Sequence, residues 1–177
     1  MTVEERAAQI ELLLMDCDGV LTDGGLYYSR TDIPEMKRFH VQDGTAIQLA
    51  QAQGLRVGII SGRESIALTE RAKELGLSYC FQNVEDKAEA VSRIYDECHI
   101  DTRRVAYVGD DLPDLRAFAC VGLPIAVANA VDEVKFYARY ITKARGGQGA
   151  VREVVELLLK AQGKWQDALR PFISFPL

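Results

Sequence analysis

The chain has 177 residues, 48% of them hydrophobic and 27% charged, a composition that suits one soluble domain with its own core. Its net charge of −5 argues against nucleic acid or an anionic membrane surface as a partner, because both call for clustered Lys and Arg. Four widely spaced cysteines, Cys17, Cys80, Cys98 and Cys120, form no C-x-x-C pair and have only His40 and His99 beside them, so they read as buried reduced thiols rather than disulfides or zinc ligands.

In chain order, the opening MTVEERAAQIELLLM sets acids before a short apolar run, which predicts neither a signal peptide nor a spanning helix and, with reduced thiols, a cytoplasmic protein. Residues 10–15 predict the first strand. Residues 24–41, GGLYYSRTDIPEMKRFHV, predict a β-hairpin around a turn near Thr31 to Pro34, whose aromatic Tyr27, Tyr28 and Phe39 call for cover, either by folding onto its own domain or, the preferred reading, by pairing with other subunits. Then come a helix over 43–54, a strand over 55–61, a helix over 64–76, a strand over 79–84 and a helix over 86–99. Strands over 104–109, 124–128 and 140–143 follow, separated by helices over 112–122 and 130–140. A helix over 149–163 closes the series, with Val151, Val154, Val155, Leu158 and Leu159 at the spacing of one buried face. Apolar strands alternating with helices predict an α/β fold with a doubly wound parallel sheet, a hairpin insert after strand 1 and no cap domain, all within one domain spanning 1–177.

Ligands of such sheets bind beyond the carboxyl ends of the strands. Asp16 and Asp18 stand there after the first strand, and Ser61, Gly62 and Arg63 after the second. Lys87 opens the helix after the third; Asp110 and Asp111, with Asp114 one turn on, follow the fourth. Two like charges about 4 Å apart repel by roughly 1 kcal/mol in water and roughly 4 kcal/mol near a protein surface, so the gathered carboxylates call for a cation. Oxygen donors without His or Cys select a hard ion, of which Mg²⁺ is the abundant one. Ser61, the amides around Gly62, Arg63 and Lys87 make an anion cradle opposite. A hard cation, an anion cradle and a spare carboxylate suit phosphoryl transfer, in which one carboxylate attacks phosphorus and another moves the proton.

Each motif taken alone has a plainer reading: D-x-D as a turn, GDD as a helix cap, Asp114 as a partner of the helix dipole, Lys87 as a solvated residue. Cys17 faces away from the acids into the core, and His40 and His99 read as structural or solvated. The order D-x-D, S-G-R, K, G-D-D-x-x-D on successive strand ends favours the chemical reading.

DCDGVLTDG, ISGR, Lys87 and VGDDLPD resemble the four motifs of the haloacid dehalogenase superfamily of phosphatases. The resemblance implies Asp16 as nucleophile, Asp18 as general acid and base, and Ser61 and Lys87 as phosphate ligands. It also implies Mg²⁺ held by Asp16, the Asp18 carbonyl and Asp110, with Asp111 and Asp114 as supporting carboxylates. The missing cap points to the capless subclass. Within it, FHVQDGTAI, SGRES, YVGDDLPDL and RGGQGAVREV are similar to phosphatases of 3-deoxy-D-manno-octulosonate 8-phosphate, which act in lipopolysaccharide precursor synthesis. Such relatives are homotetramers, which implies a homotetramer here, with a small sugar-acid phosphate as the ligand and the apolar tail RPFISFPL reaching a neighbour's site. Gln42 and Gln148 stand where relatives commonly carry basic residues; Arg63 follows the octulosonate-type pattern, and Arg145 or Arg152 is left to supply the missing charge, unless Arg152 is a helix surface residue. Competing readings are the same chemistry on a nonulosonate 9-phosphate or another sugar phosphate, and a non-catalytic binding module.

Overall fold

The computed structural model describes residues 1–28 and 35–173. The strands are β1 Leu12–Met15, β2 Arg56–Ile60, β3 Tyr79–Phe81, β4 Val105–Gly109, β5 Leu123–Ala126 and β6 Tyr140–Ile141. They form one parallel sheet in the order β3-β2-β1-β4-β5-β6. The chain winds outward from β1 in one direction, then returns to build the other half from β4. The carboxyl ends of β1 and β4 therefore flank the point where the winding reverses, the usual ligand crevice of such sheets.

The central strands are apolar because helices cover both faces. All four residues of β1 and all five of β4 are buried. The helices are α1 Val3–Ala7, α2 Val41–Ala52, α3 Ile66–Leu75, α4 Lys87–Cys98, α5 Asp114–Phe118, α6 Asp132–Tyr137, α7 Ala150–Ala161 and α8 Trp165–Leu169. Val151, Val154, Val155, Leu158 and Leu159 lie fully buried on the face of α7, which packs against α2 and α1. Side chains start several helices: Ser65 Oγ accepts from Leu68 N ahead of α3, and Asp86 Oδ1 accepts from Ala88 N ahead of α4.

The observed elements are shorter than periodicity predicts. The helix expected over 112–122 narrows to α5, and the strand expected over 79–84 stops at Phe81, near Asn83 in the left-handed region at φ 54°. The sequence reading did not include α1, which a capping box between Thr2 and Glu5 sets, or α8. The hairpin arms meet at two isolated antiparallel bridges, Thr22–Phe39 and Tyr27–Met36, rather than as regular strands. The turn expected near Thr31 to Pro34, like the end of the tail, lies outside the described residues. All four cysteines are free, but only Cys17 is buried; Cys80 is exposed and the other two are half-buried, so the expectation of four buried thiols is corrected.

Candidate active site

Asp16 is the first residue beyond β1, and its amide donates to Val108 O at 3.0 Å, which continues the β1–β4 pairing by one step. Its Oδ1 accepts from Cys17 N at 2.7 Å, and its Oδ2 lies 3.0 Å from Lys87 Nζ. Lys87 enters from the first turn of α4 with 4% of its side chain exposed, and it donates to Asp114 Oδ1 at 2.7 Å. A buried ammonium needs such partners. Burial alone would push its pKa down, but Asp16 and Asp114 outweigh that and hold it above the ordinary lysine value.

Asp114 is fully buried and accepts four hydrogen bonds. Lys87 Nζ and the Tyr107 hydroxyl (2.9 Å) reach Oδ1; the amides of Asp110 (2.9 Å) and Asp111 (3.2 Å) reach Oδ2. It thereby fixes the turn after β4 on which Asp110 sits. Gly109 is required there, since a Cβ would lie 2.5 Å from Asp114 Cβ. Asp110 packs beside Gly19, where a Cβ would fall 2.0 Å from its Oδ2 and where φ is +82°. Burial, then Asp114 and Asp16, push the Asp110 carboxyl up to about 8. Burial is also the main cause that raises Asp16 to about 6, against the opposing pull of Lys87.

Asp16, Asp110 and Asp114 offer carboxylate oxygens that all lie within 4.8 Å of one another. Both oxygens of Asp114 are taken by its four donors, which leaves Asp16 and Asp110 facing the shared space. Among the described residues, Asp110 Oδ1 is buried with no hydrogen-bond partner. An orphaned buried oxygen beside a second carboxylate, in a donor group made of carboxylates alone, fits a hard divalent cation such as Mg²⁺.

Across the crevice, Ser61 follows β2 almost fully buried; its Oγ accepts from Arg63 N (3.2 Å) and donates to Arg63 O (3.1 Å), which ties up the S-G-R turn. Arg63 is 44% exposed. The Asp18 carboxylate is not in the carboxylate trio: it pairs with Lys37, and its Oδ2 lies 3.8 Å from Arg63 Nε. Asp111 is exposed, and its Oδ1 accepts from Leu112 N at 2.8 Å. A cavity of about 300 Å³ opens between these groups, lined among others by Asp16, Asp18, Ser61, Gly62, Arg63, Lys87, Asp110 and Asp111. A larger cleft of about 470 Å³ lies elsewhere, among Arg6, Phe118, Tyr137 and Arg139. Its described lining has no carboxylate, so the acidic chemistry belongs to the smaller one.

Residues 81–154 match a family model described as haloacid dehalogenase-like hydrolase. The 3-deoxy-D-manno-octulosonate 8-phosphate phosphatase KdsC of Yersinia pestis is 42% identical over 166 residues, which are 94% of this chain and 88% of the relative. The chain belongs to the KdsC family. This phosphatase chain also superposes on a probable YrbI family phosphatase from Pseudomonas syringae with TM-score 0.94, 42% identity and 98% of each chain covered. A third relative is the 3-deoxy-D-manno-octulosonate 8-phosphate phosphatase of Moraxella catarrhalis, solved in complex with magnesium, phosphate and KDO. It aligns with TM-score 0.93 and 40% identity over 97% of this chain and 98% of that one.

Of the residues singled out from the sequence, Asp16, Asp18, Ser61, Gly62, Arg63, Lys87, Asp110 and Asp111 line this crevice and Asp114 braces it, but three groups around it were missed. Glu35 and Lys37 reach it from the hairpin, where Glu35, Lys37 and Phe39 turn inward while Met36 and Arg38 are exposed, an alternation that no apolar pattern in the sequence marks. Asn129 braces the loop after β1: its Nδ2 donates to Gly19 O (3.3 Å) and its Oδ1 accepts from Gly146 N (2.6 Å). Tyr107, hidden inside an apolar strand, gives no sequence signal. Arg152 is corrected as a source of charge at the mouth, because it pairs with Glu156 (2.6 Å) and lies 5.2 Å from the Trp165 ring centroid. Gln42, Arg145 and Gln148 are exposed.

Proposed function

We propose that this single-domain chain is a cytoplasmic, Mg²⁺-dependent phosphomonoesterase that hydrolyses 3-deoxy-D-manno-octulosonate 8-phosphate to the free sugar acid and phosphate, as a homotetramer. The observation that carries the reaction class is the pairing of Asp16 with Lys87 beside the orphaned Asp110 oxygen, inside a cavity of about 300 Å³. Identity of 42% to a relative of that named activity supports the substrate. Asp16 and Asp110, with the Asp18 carbonyl, would hold the Mg²⁺, which offsets negative charge on the phosphoryl group when bound.

The chain's own groups account for the steps. Lys87 and Ser61, with amides of the S-G-R turn, bind and orient the phosphoryl oxygens. Asp16 attacks phosphorus, the bond to the sugar oxygen breaks, and Asp18 gives that oxygen its proton. The aspartyl-phosphate on Asp16 is then cleared by water, which attacks phosphorus as Asp18 takes back a proton. Arg63, exposed at the mouth, suits the sugar carboxylate.

Asp16→Asn is expected to fold yet lose turnover by at least about three orders of magnitude; substantial remaining activity rejects the nucleophile. Phosphate release with Mg²⁺ beside an EDTA control, compared across octulosonate 8-phosphate, nonulosonate 9-phosphate and a generic ester, tests the substrate. A kcat/KM for the first that fails to exceed the others overturns it.

A further inference from the structure

We infer that Lys37 is a positioning residue for the reaction: from the hairpin it fixes the Asp18 carboxylate so that one oxygen faces the leaving group. The inference rests on Asp18 being the proton donor proposed above.

Three observations lead to it. Solvent reaches only 1% of the Lys37 side chain, although the residue sits on an arm whose neighbours Met36 and Arg38 are exposed. Burying an ammonium is costly unless it is paired, so this lysine is not a solvated surface residue. Its partners are two carboxylates, Asp18 Oδ1 and Glu35 Oε1, the latter at 2.9 Å and 8% exposed. The strand-like alternation that turns Lys37 inward is anchored two residues on by Phe39, which bridges to Thr22 and sits under the Arg71 guanidinium at 5.6 Å.

The division of Asp18 between its two cations gives Lys37 its role. Lys37 binds Oδ1 from a buried position, whereas Arg63 stands 3.8 Å from Oδ2, is 44% exposed and lies 3.5 Å from Glu35. A long contact from a half-exposed side chain yields readily to an incoming anion. The buried lysine does not. As Arg63 turns to substrate, Lys37 keeps Oδ1 in place and leaves Oδ2 as the oxygen that meets the sugar. A carboxylate free to rotate would lose that geometry, and small misplacements of a proton donor cost large factors in rate.

A leaving group that needs no proton reads this role apart from a merely structural one. In the Mg²⁺-loaded protein, Lys37→Met is expected to lower kcat/KM for the sugar phosphate by about 30-fold or more, within the range general acid catalysis spans. For p-nitrophenyl phosphate, whose leaving group departs as a stable anion, the fall is expected to stay under about 3-fold. Lys37→Arg, which keeps the charge, recovers part of the sugar phosphate loss. Equal losses on both substrates, or no loss on either, overturn the inference. Asp18→Asn separates the two levels: if it lacks the same substrate difference, the assignment of Asp18 itself fails; if it shows the difference and Lys37→Met does not, only the role of Lys37 fails. A retained far-ultraviolet spectrum and melting transition report that each variant is folded.

Discussion

Asp16 and Asp110 are carboxylates in surroundings that favour the protonated form, pushed up to about 6 and about 8 mainly by burial. Unfolding returns both to the ordinary value of 3.8. Between those limits the native state binds more protons than the unfolded chain, so without a cation stability falls as pH rises from about 4 toward 8. A divalent cation reverses the preference by favouring the charged form. Mg²⁺ is therefore expected to raise the melting temperature more at pH 8 than at pH 5.5, and a shift independent of pH contradicts the assignment of these two residues. Lys87→Met removes the shared partner of two buried carboxylates and should cost about 3 kcal/mol at neutral pH in a urea titration, alongside loss of turnover. The sequence revealed the carboxylates because they are out of place after apolar runs. It did not reveal Tyr107, whose hydroxyl serves Asp114 from within a strand, because an apolar pattern accommodates a tyrosine without comment.

The turn after β1 has little freedom. Cys17 O accepts from Leu21 N and Thr22 N, Gly147 N donates to Val20 O at 2.9 Å, and Gly146 packs so closely that a Cβ would lie 1.7 Å from Gly19 O. Gly19 itself needs both its positive φ and its missing side chain, because Asp110 occupies that space. Gly19→Ala is expected to displace Asp110 and weaken Mg²⁺ binding by at least about tenfold. The far-ultraviolet spectrum should be retained, and unchanged affinity by calorimetry would show that the turn does not set the site. Longer helices were legible because their burial repeats with the helical period, and the central strands because they are short unbroken apolar runs. The hairpin was less so: Glu35 and Lys37 turn inward for reasons of charge rather than hydrophobicity, which apolar periodicity does not register. The RGGQG segment carries no chemistry of its own in the sequence beyond its resemblance to a family motif, and its packing against Gly19 and Val20 shows how it braces the site.

Both edges of the sheet are short, three residues in β3 and two in β6, so neither offers a long row of unpaired backbone groups to another chain. The hairpin arms carry a cluster of exposed apolar side chains: Leu26, Tyr27, Tyr28 and Met36 are 44–69% exposed, with Val41 at 79% just beyond. The same arms supply Lys37 to the crevice, so anything that covers their outer face also holds their inner face against Asp18. Burying about 25 cal/mol per Å² of such surface favours association through the hairpin over association through the edges. For the proposed homotetramer, light scattering at micromolar concentration is expected to give about four times the chain mass of 19.7 kDa. Replacing Tyr28 and Met36 together by lysine should dissociate the assembly, leave the sheet folded and lower turnover by loosening the arm that carries Lys37. A wild-type monomer, or an assembly that survives both lysines, would place the interface away from the hairpin.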